Sequence, residues 1–151
     1  MNMSRYDLEA AFAARLLPVA RTWRRAADRA LSGMGLSSAT GWALVHVVRE
    51  GGDLRQTDLA QMLEITDASL VRLLDQLGTA GLAERRTDEA DARVRRIGLT
   101  AKGKAMVARI EAIFAGLRAD VLAEVSDADL ATGLAVIERT SAMLAGKSER
   151  P

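Results

Sequence analysis

The stretch from Gln56 to Thr100, QTDLAQMLEITDASLVRLLDQLGTAGLAERRTDEADARVRRIGLT, leaves the chain few ways to fold. It reads as a short helix, a tight turn, a second helix and a charged β-hairpin. The spacing predicts the first helix over Thr57–Leu63, with Leu59, Met62 and Leu63 on an apolar stripe and Ala60 where a neighbouring helix comes close. Glu64 and Ile65 turn the chain. Thr66 or Asp67 then caps the next helix, because a short side-chain oxygen accepts from amides that lack intrahelical partners. In that second helix Leu70, Leu73, Leu74 and Leu77 recur at three and four residues and so point inward. The other face carries Asp67, Ala68, Ser69, Arg72 and Gln76. Small residues, hydrogen bonders and one long cation are what a helix needs to lie in a DNA major groove.

Gly81 can end this helix, since glycine tolerates the left-handed conformation found after a C-terminus. Ala83–Arg86 and Val94–Leu99 are expected as strands, with residues 87–93 as the loop between them. Arg85, Arg86, Arg93, Arg95 and Arg96 put five guanidiniums on one hairpin. So basic a ribbon suits phosphates, and an arginine at its tip can enter a minor groove, where narrow A·T tracts concentrate negative potential. The net charge of +1 says little about DNA, but the distribution says more. Residues 84–104 hold seven Lys/Arg against four Asp/Glu, whereas residues 105–151 hold five against seven. A merely solvated hairpin is the bland alternative, and the helix before it tips the balance. Asp91 fits an organiser of the loop better than a DNA contact, because a carboxylate near phosphates needs an arginine partner. Arg93 and Arg95 are the candidates.

This stretch resembles the winged helix-turn-helix of the MarR family of bacterial transcription regulators, nearest to its SlyA-like branch. The pieces that carry the resemblance are SLVRLLDQL, AGL-x-ERR, D-x-x-D-x-R in the wing and R-x-x-LT-x-x-G ending at Gly103. It reaches back to WRRAADRAL and GLSSATGWALVHVVR, and so covers most of the chain. There are departures. The family usually has two adjacent arginines after the wing aspartate, where this chain has Ala92 and then Arg93; a proline common early in the recognition helix is Ala68; many such turns carry glycine in place of Glu64. The resemblance implies a homodimeric, sequence-specific regulator, a repressor relieved by a small aromatic or phenolic anion bound between the dimer helices and the DNA-binding lobe. The expected DNA-binding residues are Gln56, Thr57, Thr66, Ala68, Ser69, Arg72, Gln76, Arg86, Arg93 and Arg95. Ser69 and Arg72 are the candidates for base edges, Gln56 and Thr57 for phosphate, and Arg93 for the adjacent minor groove.

The flanks read as helices. Leu8, Phe12, Leu16, Val19, Trp23, Ala26 and Ala30 form one face of a helix over Tyr6–Leu31, and Arg15, Arg21, Arg25 and Arg29 lie opposite. Pro18 predicts a kink or a break, because it removes an amide donor and crowds the preceding turn. Residues 32–35 form a loop, and a helix starting at Ser37 or Ser38 continues to Arg49. His46, the only histidine, is one turn from Trp42. It is either a histidine at the core edge or, with Trp23 and Trp42, part of an aromatic wall for an aromatic carboxylate. Gly51 and Gly52 end that helix, and Asp53–Arg55 is expected to pair with the wing as a third strand. Thr100 caps a long helix to about Glu124, with Met106, Ile110, Ile113, Leu117 and Val121 as its stripe and Gly116 as a place of close helix approach. Ser126 with Asp129 resembles a capping box for a last helix bearing Leu130, Leu134, Ile137 and Leu144. A polar tail follows from Gly146.

A length of 151 residues and 49% hydrophobic content suit one mainly α domain with a small β-hairpin wing. Within it, residues 1–35 and 101–146 are expected as dimerisation helices and 36–100 as the winged helix-turn-helix lobe. A two-fold dimer would bury the long stripes and set two recognition helices one DNA turn apart, whereas a monomeric bundle would cover them itself. The chain has no cysteine, which excludes disulfides, thiolate metal sites and a thiol switch. Its N-terminus lacks the apolar core of a signal peptide, and the apolar run at Trp42–Val48 is too short to span a bilayer, so a cytoplasmic protein is expected. No nucleophile elbow, Walker loop, metal-spaced histidines or dinucleotide fingerprint is present, so neither enzyme activity nor a cofactor or metal is expected. The alternatives are a helical protein-interaction module and a sequence-tolerant architectural DNA-binding protein.

Overall fold

The structure is a computed structural model that describes residues 3–148. Its elements run α1 (Arg5–Gly33), α2 (Ser38–Arg49), β1 (Asp53–Arg55), α3 (Gln56–Leu63), α4 (Asp67–Thr79), β2 (Ala83–Thr87), β3 (Arg95–Leu99), α5 (Ala101–Val121) and α6 (Asp127–Ser148). The chain divides into two compact units, residues 1–117 and 118–151. The polar tail expected beyond Gly146 lies, from residue 149 onward, outside the described residues.

One stop signal, repeated four times, cuts the first unit into helices. After α1, α2 and α4 a glycine at positive φ (Gly35, Gly51, Gly81) lets the next amides turn back onto the last carbonyls. The bonds Leu36 N–H to Leu31 O, Gly52 N–H to Val47 O and Leu82 N–H to Leu77 O close the three motifs. After α3 the same pair of bonds forms, but the left-handed residue is Glu64, at φ 54°. A side chain there crowds its own carbonyl, at a cost of roughly 1–2 kcal/mol. Glu64→Gly is therefore expected to raise stability by about 0.5–1 kcal/mol, less than the full strain because glycine also loosens the unfolded chain. Glu64→Val should lower it by about 1–2 kcal/mol, since a β-branched residue tolerates this region worst. Thermal denaturation checks both, and equal midpoints for the two variants would refute the strain at this turn.

Helix starts are equally legible. Ser4, Ser37 and Thr66 each accept from an amide three residues on, capping α1, α2 and α4. Thr100 accepts from Gly103 N–H at 3.0 Å and donates to Gly81 O at 2.6 Å, so it caps α5 and ties it to the turn before the wing. Pro18 does not break α1, which runs on as one helix of 29 residues. Of the expected kink or break, the break does not occur: one proline leaves one carbonyl without its amide, and the helix continues on both sides of it.

The core gathers one fully buried large side chain from almost every element: Leu31 (α1), Leu44 (α2), Leu59 (α3), Leu70 (α4), Ile97 (β3) and Ile110 (α5). The inward stripe of α4 is as expected, Leu70, Leu73, Leu74 and Leu77 all being buried. The sheet has the order β1-β3-β2, antiparallel throughout, with Leu54 opposite Ile97 and Arg85 opposite the same residue on the other side. Asp53–Arg55 is thus the third strand that the sequence led us to expect.

Three expectations are corrected. Met62 is exposed, and α3 buries only Leu59 and Ala60, because eight residues present a single narrow stripe. On α5 the buried stripe is Gly103, Val107, Ile110 and Phe114, while Ile113 and Val121 are exposed. The helix carries two apolar stripes, and the contact of Gly103 with the Leu82 carbonyl decides which one faces the core. Gly116 has open space around it within the chain, so it marks no close approach there.

Helix α1 gives only Ala27 and Leu31 to that core, leaving Leu8, Phe12, Leu16, Val19 and Trp23 exposed. In the second unit Ser126 accepts from Asp129 N–H at 3.1 Å to begin α6. Leu130, Leu134, Ile137, Met143 and Leu144 of that helix are exposed. No helix among the described residues is long and apolar enough to cross a membrane.

Candidate nucleic-acid interface

The helix α4 begins with its hydrogen bonders already arranged. Thr66 accepts from the Ser69 amide at 3.2 Å and donates its hydroxyl to Ser69 Oγ at 3.0 Å, which leaves the Ser69 O–H free to donate outward. Ala68, Arg72 and Gln76 are exposed on the side away from the leucines. The Arg72 guanidinium has no hydrogen bond or ion pair among the described residues, so nothing must be broken for it to reach a base edge.

The five wing arginines do not form one uniform basic ribbon. Two are committed within the fold. Arg96 bridges Asp53 (2.7 Å) and Asp88 (3.1 Å) and also donates to the Asp53 carbonyl, linking β1 to the wing loop. Arg85 donates to the Val71 carbonyl at 2.8 Å and pairs with Asp75 at 3.0 Å, linking β2 to α4. Arg86 lies on the other face of the sheet, paired with Glu84 at 3.3 Å and laid over Gly98. Arg95 donates to Thr87 Oγ1. Only Arg93 keeps its guanidinium unpaired among the described residues, its backbone N–H alone being held, by Asp91 Oδ1 at 2.9 Å. An arginine count alone cannot distinguish these fates, because the acids that hold Arg85 and Arg96 lie 10 residues away for the first and 8 and 43 for the second.

The loop organiser is also shared. Asp91 holds the tip through the Arg93 amide, not through a guanidinium as expected. Asp88, which sequence reading passed over, accepts from the Ala90 and Asp91 amides at 2.9 and 3.2 Å as well as from Arg96. The Ala90 and Asp91 amides first, and then Arg96, hold its carboxyl below its ordinary value against the opposing effect of burial. Asx turns of this kind leave a signal in the sequence, since D-E-A-D places each carboxylate two or three residues ahead of an amide it can accept from.

Where the loop end of the wing meets the start of α3, Arg55, Gln56, Thr57, Arg93, Val94 and Arg95 line a hollow of about 230 Å³. Four of the expected DNA-binding residues therefore come together, with Arg55 as a further cation. No carboxylate lines this hollow.

The other expected cluster is only partly assembled. Trp42 is buried and packs against Phe114 at 5.5 Å and His46 at 6.0 Å between ring centroids. Its indole N–H donates to Asp28 at 2.8 Å, and the Arg24 guanidinium stacks on its ring at 4.2 Å. Burial pulls the Asp28 carboxyl upward, but hydrogen bonds from Ser38, Trp42 and Arg24, with the charge of Arg24, hold it below its ordinary value. Trp23 is exposed on α1 and makes no ring contact among the described residues.

Burial likewise holds the half-buried His46 imidazole below its ordinary value, aided by the charges of Arg49 and Arg24 and opposed by Glu50. The folded chain thus takes up this proton less readily than the unfolded chain. The stability so gained is present above about pH 6.5 and is lost as pH falls below it, levelling off under the folded pKa. His46→Gln should flatten that limb of a denaturation profile taken between about pH 5 and 7.5. An unchanged limb in the variant would assign it to other groups.

A short helix, a left-handed turn, a capped second helix with an outward cation and a three-stranded wing define a winged helix-turn-helix DNA-binding protein. The MarR family model matches residues 34–94. The chain is 37% identical to the transcriptional regulator PA3341 over 89% of this chain and 98% of that one, with a TM-score of 0.77. It shares its fold with wild-type MarR in the apo form from E. coli, at 22% identity, a TM-score of 0.70 and coverage of 84% and 94%. It also matches MepR of S. aureus in a MepR–DNA complex, at 23% identity, a TM-score of 0.68 and coverage of 88% and 97%. The chain belongs to the MarR family of transcriptional regulators.

Proposed function

We propose that the chain acts as a homodimeric repressor that recognises a pseudo-palindromic DNA site. The observation that carries this reading is the pairing of an unengaged outward cation on α4, Arg72, with an unengaged cation at the wing tip, Arg93. Such a pair suits a base edge in the major groove and the adjacent minor groove. Ala68, Ser69 and Gln76 would lie beside Arg72 in the major groove, with Thr66 holding Ser69 in place. Gln56, Thr57 and Arg95, in the hollow at the loop end of the wing, would take backbone phosphate, and Arg86 would add charge on the outer face of the sheet. Asp91 would set the direction of Arg93.

Dimerisation through residues 1–35 and 101–146 is supported by the exposed apolar faces of α1 and α6, which a solvated monomer would leave wet. A selection for bound DNA tests the whole reading. It should return an inverted repeat with half-site centres about 10–10.5 bp apart, and sedimentation should give two chains per protein particle. A selected motif without two-fold symmetry, or a monomer at working concentrations, would sink it.

A small aromatic or phenolic anion is proposed to relieve repression. Its support is the exposed indole of Trp23 on α1, more than Trp42, whose N–H already serves Asp28. With salicylate as the probe, quenching should persist in Trp42→Phe and vanish in Trp23→Phe. If neither fluorescence nor DNA affinity responds at saturating probe, the ligand reading is withdrawn.

A further inference from the structure

We infer that Arg85 is a positioning residue that fixes the wing to the recognition helix and so sets the separation of Arg72 and Arg93 on DNA; this rests on the DNA reading above. Of the wing arginines it is the one that reaches α4. Its register partner is the buried Ile97, and cross-strand partners share a face, so the Arg85 side chain lies on the core side of the sheet. One terminal nitrogen meets two acceptors on α4, the Val71 carbonyl at 2.8 Å and Asp75 Oδ1 at 3.0 Å. Those residues are one helical turn apart and bracket Arg72 between them.

Two further features fit a strut rather than a DNA contact. The gap between α4 and β2 is an open groove of about 500 Å³, floored by Leu74 and Ala83 and walled partly by Gly78, so no bulky side chain fills it. Arg85 is the side chain that spans this groove from β2 to α4, in addition to the β-ladder, the buried Ala83 and Ile97, and the Thr100 bond to the turn at Gly81. Asp75 is the second feature: its carboxylate is exposed one turn beyond Arg72 and would repel DNA phosphates if left alone. Arg85 offsets that charge.

The partly exposed pair contributes little to folding, so variants should remain folded. Because the chain has no cysteine, Thr79→Cys and Ala90→Cys allow a spin-label pair to report the distance from α4 to the wing without DNA. The distribution should be narrow in the parent, broad in Arg85→Ala and partly narrowed in Arg85→Lys, which can still meet Asp75. In DNA binding, Arg85→Ala should lower the ratio of operator to random-sequence affinity about tenfold, the size of one mismatched base pair. The slope of affinity against salt should stay unchanged. An unchanged label distribution would overturn the inference, as would a salt slope reduced by about one with equal losses on both DNAs, the mark of a lost phosphate contact. If the parent itself prefers no sequence, the DNA reading fails, while the label distribution still judges the strut.

Discussion

Gly103→Ala is expected to lower the unfolding free energy by about 3 kcal/mol, at the upper end of what overpacking costs, and the melting temperature by roughly 6–12 °C. A Cβ built at this position would sit 1.9 Å from the Leu82 carbonyl oxygen, 3.0 Å from its carbon and 3.3 Å from Leu99 Cβ. The carbonyl cannot swing aside cheaply, because it accepts from the Thr100 amide at 3.2 Å and from the Thr100 hydroxyl at 3.3 Å. Relief would have to move α5 off the turn that leads into the wing, loosening Val107 and Ile110 with it. Gly78→Ala is the control from the same neighbourhood. Its nearest neighbour would be the Ala83 carbonyl at an ordinary 3.9 Å, so helix propensity should raise stability by about 0.5–1 kcal/mol. Thermal or denaturant unfolding of the two variants decides the matter, and a Gly103→Ala protein as stable as the parent would refute the packing of α5 against this turn.

Arg72→Ala should have the largest effect on recognition. Loss of two hydrogen bonds to one guanine removes about 1–3 kcal/mol of discrimination, or roughly 5–150-fold, at one position of each half-site. Preference at the other positions should survive. Arg93→Ala is predicted to act differently, weakening all sequences more evenly and reducing the salt slope by about one. The contrast follows from where each guanidinium stands: Arg72 projects from a rigid helix with four buried leucines behind it, whereas Arg93 projects from a loop held by the carboxylates of Asp88 and Asp91. Binding measured on the selected site and on single-base variants checks both. A parent-like profile for Arg72→Ala would remove it from the recognition surface.

The parts of the fold that were legible in the sequence are those with a local cause. Leucines at three and four residues located the face of α4, glycines at C-termini located the stops, and Thr66 and Thr100 located the starts. Strand β1 could be expected from a short Asp-Leu-Arg after two glycines, because the hairpin needed an edge partner. What stayed hidden depended on contacts distant in sequence. The inward stripe of α5 is chosen by a backbone contact at Gly103, and the two stripes are equally apolar on paper. The roles of Arg85 and Arg96 are set by Asp75, Asp53 and Asp88, which are brought near by the turn at Gly81, the pairing of β1 with β3 and the β2–β3 hairpin. Arg55 escaped notice as a lone cation before a short helix, and its meaning appears only beside Arg93 and Arg95. The departure at Glu64 carried more information than its sequence showed, since the residue takes up the left-handed conformation that glycine supplies at the other three stops.

The most direct test of the central claim is the affinity of the purified chain for its selected inverted repeat and for a scrambled duplex of equal composition, measured across a salt series. A sequence-reading winged helix should lose affinity for both DNAs steeply as salt rises, because cations on α4 and the wing displace condensed counterions. It should nevertheless favour the repeat by at least about 10³ at physiological salt. Equal affinity for the two duplexes throughout the series would contradict sequence-specific recognition by α4 and the wing.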